Sequence, residues 1–147
     1  MRRLPPALAA LLVLPLLASD SPRGSDAATE YVGIEGTWRC VSVKHGGAEV
    51  QPLKGDEIGL VFRGGSYEES YLGQRDRWGP CAVDAARRPA RLDLGYAGGP
   101  HKGKVWQNIY RLDGDTLRIA YTGSPDARPV GFEGTPGVWV HTYKRVR

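Results

Sequence analysis

Three histidines are the side chains of this sequence best suited to bind a metal ion or to transfer a proton. His45, His101 and His141 lie far apart along the chain. No two of them form the His-x-His or His-x-x-x-His spacing with which one element presents two zinc ligands. We therefore expect no metal site and no cofactor. His141 shares its strand parity with Trp139 and Tyr143, so it is the histidine expected to reach an internal cavity.

Acidic and nucleophilic side chains form no recognisable catalytic group. Glu68 and Glu69 are adjacent, so on a strand they point to opposite faces, whereas paired hydrolytic carboxylates lie about 5–10 Å apart in one cleft. Glu69 shares the parity of Tyr67 and Tyr71, which permits an inward orientation, and a place at a barrel mouth is the favoured interpretation. No Ser-His-Asp or Cys-His motif is present. The sequence predicts that the protein is not an enzyme.

Two loops resemble ligand-binding motifs only in part. Residues 98–104 fit the first seven places of the phosphate-binding pattern Gly-x-x-x-x-Gly-Lys-Ser/Thr, but Val105 replaces the hydroxyl residue. A strand is predicted to follow, whereas a phosphate loop needs a helix N-terminus. Asp113 and Asp115 lack the further oxygen ligands and the distal glutamate of a calcium loop. We expect neither segment to bind a nucleotide or a cation.

The charge pattern argues against a nucleic-acid partner. The chain carries 20 Lys and Arg against 16 Asp and Glu, a net charge of +4. These charges alternate in sign, whereas nucleic-acid binders concentrate basic residues on one element or face. The nearest approaches to basic clusters are expected to be solvated turns or strand ends; they are Arg87, Arg88 and Arg91, and Lys144, Arg145 and Arg147.

The first 27 residues predict an export signal and a polar leader. Arg2 and Arg3 precede an apolar run from Ala7 to Ala18, which is too short to span ~30 Å of hydrocarbon comfortably but suits a secretory signal. Residues 19–29 are polar and are expected to form a flexible leader outside the fold. We expect cleavage between residues 18 and 28, a secreted or periplasmic product and no stable membrane anchor afterwards. An uncleaved anchor is the alternative.

From Tyr31 onward, apolar residues alternate with a period of two, which is typical of β-strands. In the first strand this alternation places Trp38, Cys40 and Ser42 on one face, and Asp113-Gly114 predicts a tight hairpin. Eight strands are predicted, at residues 36–43, 58–62, 67–72, 78–84, 91–96, 105–112, 116–122 and 138–145.

Sequential strands without crossover helices form either a sandwich or a closed barrel. Closure removes the exposed edges, and eight strands enclose either a packed interior or one small ligand. The sequence therefore predicts that residues 30–147 form an all-β, eight-stranded antiparallel up-and-down barrel. The oligomeric state is left open.

Several segments of the folded part, in order along the chain, carry a family resemblance. They are GTWRCVSV (36–43), GPHKGK (99–104), IYRLDGDTLRIAY (109–121), Arg128-Pro129 before Phe132, and YKRV (143–146). The first contains a Gly-x-Trp that resembles that of lipocalins, and residues 34–147 are similar to the lipocalin-like domain of uncharacterised planctomycete proteins. The resemblance implies an eight-stranded barrel and export, and it implies little about activity.

The resemblance also implies a structural role for Trp38. In lipocalin-like barrels this tryptophan closes one end beneath a basic side chain from near the C-terminus, a role for which Lys144 and Arg145 are placed. Cys40 and Cys81 occupy positions that ordinary strand residues hold in that family. An oxidising compartment favours a disulfide between them, while their predicted places on the first and fourth strands disfavour it. Both alternatives remain open.

Aromatic residues on adjacent predicted strands indicate where a ligand would bind. Trp106, Tyr110 and Tyr121 fall on one face with His141, and aromatic walls with few polar groups are typical of small-molecule pockets. We therefore predict an exported binding module that holds a small apolar or amphipathic molecule in the barrel. The alternative is a solid-core structural or protein-interaction module of the bacterial cell envelope. An internal cavity of several hundred Å³ would favour the first.

Overall fold

The computed structural model describes residues 33–50 and 57–147. The predicted export signal and leader lie outside the described residues. Within this part the chain forms nine β-strands: β1 (Gly36–His45), β2 (Ala48–Glu49), β3 (Ile58–Arg63), β4 (Ser66–Tyr71), β5 (Gln74–Asp84), β6 (Ala90–Gly95), β7 (Val105–Asp113), β8 (Thr116–Thr122) and β9 (Val138–Arg145).

The strands form one closed antiparallel barrel. Their order in the sheet is β2-β1-β3-β4-β5-β6-β7-β8-β9, and a further pairing of β1 with β9 closes the sheet. Because β2 is only a two-residue partner for the end of β1, the barrel wall consists of eight strands. The predicted all-β, eight-stranded antiparallel barrel is confirmed.

Glycine-containing turns join neighbouring strands where the sequence predicts them. Asp113 pairs with Thr116 across the β7–β8 hairpin, and Gly114 in that turn has a φ of 57°. At the β3–β4 hairpin, Gly64 and Gly65 have φ values of 56° and 77°. Two-residue turns between twisted strands require such positive φ values, which glycine adopts without strain.

A bulge in β1 reverses the predicted orientation of one side chain. The pairing of β1 with β9 shifts register between Cys40 and Ser42, and an inserted residue changes which later side chains point inward. Val43 is therefore buried, whereas the Ser42 hydroxyl donates a hydrogen bond to Glu49 Oε1 at 3.0 Å. The prediction that Ser42 shares a face with Trp38 and Cys40 is wrong.

Trp38 fills one end of the barrel, which we call the closed end. Its side chain is 0% exposed, and its indole N–H donates a hydrogen bond to the Ile34 carbonyl at 2.8 Å. The Arg145 guanidinium lies 4.2 Å from the Trp38 ring centroid. The same guanidinium donates to the carbonyls of Glu35 (2.7 Å) and Gly33 (2.9 Å), which fixes it over the ring.

Lys144 does not take part in this cover. It is exposed, and its ammonium group donates a hydrogen bond to Thr116 Oγ1. Successive residues of a strand point to opposite faces, so Lys144 points outward when Arg145 points toward the barrel end. Of the two basic residues predicted to cover Trp38, only Arg145 is in contact with it.

The connection between β8 and β9 packs on the outside of the barrel. Phe132 contacts a small outer cluster that includes Ile109 and Val140. Arg128 donates a hydrogen bond to the Asn108 carbonyl at 2.6 Å. These contacts hold the connection against β7 and β9. They therefore also fix the position of the end of β8, where the connection begins.

Candidate functional site

The half of the barrel opposite Trp38 contains a cavity of about 370 Å³. Trp38 pairs with Arg145 at the end of β9, whereas the cavity-lining Trp139 lies at the beginning of that strand. We call this half the open end. Its wall is formed by Leu60, Glu69, Arg77, Leu94, Tyr96, His101, Trp106, Asn108, Ile119, Tyr121, Thr122, Gly123, Trp139, His141 and Tyr143.

Three of the four residues predicted to contact a ligand lie in this wall. Trp106, Tyr121 and His141 come together there from β7, β8 and β9. Tyr110 does not line the cavity; it is buried in the core and borders a different pocket beside Ala90. It shares the inward face of Trp106, but four residues of strand separate them by about 13 Å along the barrel. The assignment of Tyr110 to the ligand site is therefore corrected.

One aromatic group of the wall comes from β7 and the loop that joins β6 to it. The ring centroids of Tyr96 and Trp106 are 5.4 Å apart, and the His101 ring lies 5.1 Å from Trp106 in an edge-to-face arrangement. The Trp106 indole N–H donates to the Thr122 carbonyl at 2.9 Å, which fixes the ring across the β7–β8 boundary. His101 belongs to residues 98–104, which lead directly into strand β7 instead of a helix.

A second aromatic group comes from β8, β9 and the end of β1. The rings of Tyr121 and Trp139 are nearly parallel, with an interplanar angle of 10° and centroids 6.4 Å apart. On its other side Trp139 stacks on His45 at 4.1 Å. Cross-strand pairing of His45 with Trp139 explains this contact. Trp139 was not among the predicted ligand residues, although its parity matches that of His141.

His141 lies between two tyrosine hydroxyls. Its Nε2 is 3.0 Å from the Tyr121 hydroxyl, and its Nδ1 is 3.1 Å from the Tyr143 hydroxyl. Burial and, to a smaller extent, the nearby Arg77 charge together lower the pKa of His141 to about 4. Burial also raises the pKa of Tyr121 to about 12. Near neutral pH this chain of three groups is uncharged, and both imidazole nitrogens are occupied.

A carboxylate and a guanidinium face each other in the cavity wall. Arg77 Nη1 lies 3.7 Å from Glu69 Oε1, and the Glu69 side chain is 16% exposed. Burial raises the pKa of Glu69, an effect that the Arg77 charge opposes. The Arg77 Nε atom is also 3.2 Å from Asp76 Oδ2. Of the two orientations considered for Glu69, the structure therefore shows the inward one.

Arg77 was not predicted as part of the site, and a second bulge lies directly before it in β5. Glu69 pairs with Arg77, but the next residue, Ser70, pairs with Arg75, so Asp76 is an extra residue in β5. Arg75 consequently lies on the outside, 4.3 Å from the Trp78 ring centroid, while Arg77 points inward. The predicted strand began at Trp78. Its extension backward with the inward parity of Cys81 would have reached Arg77.

Asn108 adds an unsatisfied acceptor to the wall. Its side chain is 2% exposed, and its Oδ1 atom has no hydrogen-bond partner in the described part of the chain. Buried polar side-chain atoms nearly always have a partner. An exception in the lining of a cavity indicates a place where a bound molecule can donate a hydrogen bond.

The two cysteines lie in the barrel core as thiols. Cys40 and Cys81 are both buried, and no disulfide joins them. Burial raises the pKa of Cys40 to about 12, so its thiol is poorly reactive in the folded protein. Of the two alternatives left open by the sequence, the structure contains the thiol form.

Other charged side chains form ion pairs at the protein surface. Asp115 pairs with Arg145 and Arg147, and Arg87 pairs with Asp84. Across residues 33–50 and 57–147, no three His, Cys, Asp or Glu side chains are grouped so that they could hold a metal ion. In the same residues there is no helix long and apolar enough to cross a membrane.

Comparison with known proteins identifies no relative from which a function for this cavity could be inferred. The chain matches no family model, no curated protein and no solved structure. The lipocalin-like resemblance therefore stays a prediction, and the site has to be interpreted from its own residues.

Proposed function

We propose that the protein is a binding module that holds a small amphipathic molecule in the cavity at the open end of its barrel. The observation that supports this most is the cavity itself, which measures about 370 Å³ and has aromatic and polar walls. Pockets for small molecules commonly occupy about 300–1,000 Å³ and combine aromatic surface with a few placed polar groups.

The distribution of side chains favours this proposal over a solid-core interaction module. At the closed end, Trp38, Phe62 and Leu117 are fully buried and fill the interior. The open end contains large side chains as well, yet Trp106 and Trp139 lie around the cavity without filling it. A barrel that acted only through its outer surface would have no use for this space.

The polar groups of the wall favour an amphipathic ligand over a purely apolar one. Glu69, Arg77 and Asn108 border the cavity together with the aromatic rings. A hydrocarbon placed against these groups would remove water from them without replacing its hydrogen bonds, which costs about 1–3 kcal/mol for each unsatisfied group. A ligand with one polar end avoids this cost.

The same geometry favours binding without catalysis. A general base needs a free nitrogen or oxygen within hydrogen-bonding reach of its substrate. Both ring nitrogens of His141 face tyrosine hydroxyls, so neither is free to act as a base. We further propose that binding takes place outside the cytoplasm, on the strength of the apolar run from Ala7 to Ala18.

Trp106→Leu should weaken ligand binding by about tenfold. The uncharged probe N-phenyl-1-naphthylamine should quench tryptophan emission saturably in the wild-type protein. Loss of the Trp106 ring removes an aromatic contact worth about 0.5–1.5 kcal/mol, and 1.4 kcal/mol corresponds to tenfold in Kd. Equilibrium fluorescence titration of both proteins measures this difference.

Trp78→Leu is the matched control, because Trp78 lies on the outer face of β5 beside Arg75. It should leave the Kd unchanged, as should Arg87→Ala. If the folded wild-type protein binds neither this probe nor any member of a panel of lipids and metabolites, the binding-module proposal is wrong. The interaction-module alternative would then replace it.

A further inference from the structure

The charges in the wall of the cavity are balanced. Glu69 is the acidic and Arg77 the basic side chain among the described residues that line it. They lie close to each other, so the two charges that line the cavity cancel; Asp76, which pairs with Arg77 Nε, does not line it. A ligand with a net charge would leave water and meet no unpaired counterion, and an unpaired charge is costly in such a space.

Donors and acceptors in the wall are only partly satisfied. The 3.7 Å distance between Arg77 Nη1 and Glu69 Oε1 exceeds the length of an N–H···O hydrogen bond, which is about 2.7–3.2 Å. Asp76 takes the Nε donor of Arg77, and the guanidinium, which has five N–H groups, retains others. The Glu69 carboxylate likewise retains acceptors. Asn108 Oδ1 is a further buried acceptor without a partner in the described residues. The wall thus offers both kinds of group to a ligand.

The aromatic rings define the shape of the space next to these groups. The Tyr121 and Trp139 rings are parallel to within 10° and belong to the same side of the wall. Trp106 and Tyr96 form the other aromatic group. Flat rings bind well against such surfaces, because stacked and edge-to-face contacts both become available.

From these three features we infer that the cavity selects an uncharged, flat aromatic compound whose polar edge carries a hydrogen-bond donor and an acceptor side by side, as in a carboxamide or a lactam. The carbonyl of such an edge accepts from Arg77, and its N–H groups donate to Glu69 or Asn108. Carboxylates and amines are discriminated against, since each would leave one member of the Glu69–Arg77 pair facing a like charge. This inference rests on the proposed function, because it names the ligand class of the same cavity.

Four probes with one naphthalene body and different heads test the inference. They are naphthalene-2-carboxamide, naphthalene-2-carboxylate, 2-naphthylmethylammonium and 2-methylnaphthalene, titrated at pH 7.5 against the full chain. We expect the carboxamide to bind at least tenfold more tightly than each of the others. Equal or tighter binding of either charged probe, or of 2-methylnaphthalene, would overturn the inference while the binding function stands. If none of the four binds saturably, the inference is overturned; the proposed function fails with it only when N-phenyl-1-naphthylamine and the panel of lipids and metabolites also do not bind.

Removal of the charge of Glu69 or of Arg77 should change which charged probe, the carboxylate or the amine, binds more tightly. Glu69→Gln removes the carboxylate of the cavity wall and leaves Arg77 paired only with Asp76, which does not line the cavity. The affinity for the carboxylate probe should therefore rise about tenfold relative to the amine. Arg77→Met leaves Glu69 unpaired and should favour the amine by a similar factor. Near-UV circular dichroism verifies that each variant is folded. Glu69→Gln is nearly isosteric, so it decides the test even if Arg77→Met is unstable.

The same two strands provide a matched control pair. Arg75 Nη1 lies 3.8 Å from Glu68 Oε2, and both side chains are about half exposed on the outer face. Glu68→Gln and Arg75→Met make the same changes in charge one residue and two residues away from the cavity pair. They should leave the order of the four probes unchanged. If they alter it as much as Glu69→Gln and Arg77→Met do, long-range charge and not the cavity wall determines the preference, and the inference is overturned.

Discussion

Trp38→Ala is expected to lower the free energy of unfolding by about 3–5 kcal/mol, as truncation of a buried aromatic in a packed core does. The side chain is fully buried at the closed end of the barrel. Its removal leaves a cavity there and also removes the ring on which the Arg145 guanidinium lies. Denaturant unfolding monitored by far-UV circular dichroism measures the effect.

Trp78→Ala is the control for this measurement. Trp78 is partly exposed on the outer face of β5, so its truncation should cost less than half as much. A Trp38→Ala variant whose stability lies within about 1 kcal/mol of the wild type would show that Trp38 does not fill the barrel end. The account of the closed end would then be wrong.

The second large effect concerns the dependence of stability on pH. In the folded protein, burial and the Arg77 charge lower the pKa of His141 from 6.5 to about 4. Between these values the unfolded chain binds a proton that the folded protein excludes, so the contribution of His141 decreases as the pH falls. The loss amounts to about 3 kcal/mol between pH 6.5 and pH 4, at 1.36 kcal/mol per pKa unit.

The pKa of Glu69 shifts in the opposite direction and has to be separated from this effect. Burial raises that pKa, so the Glu69 contribution to stability grows as the pH falls from the raised folded pKa toward the ordinary value. Comparison of the wild type with His141→Gln removes this term, since Glu69 is present in both proteins. The difference between their unfolding free energies should fall by about 3 kcal/mol from pH 6.5 to pH 4.

His45→Gln, which replaces an imidazole at the exposed rim of the barrel, is the matched control. Parallel profiles for wild type and His141→Gln across this range would contradict the buried, neutral state of His141. The whole series requires only denaturant titrations at several pH values.

The architecture follows from the sequence because it depends on a repeated signal. Alternation of apolar and polar residues, as in Arg91 to Tyr96, recurs in the eight predicted strands. Turns such as Asp113-Gly114 mark where one strand ends and the next begins. Each strand needs only its inward face to be apolar, so a small error at one strand end does not change the fold.

The details of the site could not be predicted in the same way. Single inserted residues, near Val41 in β1 and at Asp76 in β5, reverse the direction of the side chains that follow. No local pattern marks these bulges, because the pairing of two strands determines them. Ser42 was therefore assigned to the wrong face. Arg77 was missed because the predicted strand began one residue after it, at Trp78.

Strand parity predicts whether a side chain points into the barrel, but it does not predict how far along the barrel axis that side chain lies. Tyr110 and Trp106 both point inward, yet only Trp106 reaches the cavity. The polar character of the site was missed for a related reason. The Glu69–Arg77 contact and the neutral Tyr121–His141 pair depend on which residues meet across strands, and the sequence of one strand does not contain that information.

The most direct test of the central claim uses the indole N–H signals of the four tryptophans. A ¹H–¹⁵N correlation spectrum, assigned with single Trp→Phe variants, follows each indole during titration with naphthalene-2-carboxamide. If the ligand enters the cavity, the Trp106 and Trp139 signals should shift saturably with one Kd, because both rings line the wall. The Trp38 signal should stay in place, because its N–H is bound to the Ile34 carbonyl at the closed end. Saturable binding that leaves Trp106 and Trp139 unmoved, or an unchanged spectrum across the whole probe series, would contradict the account.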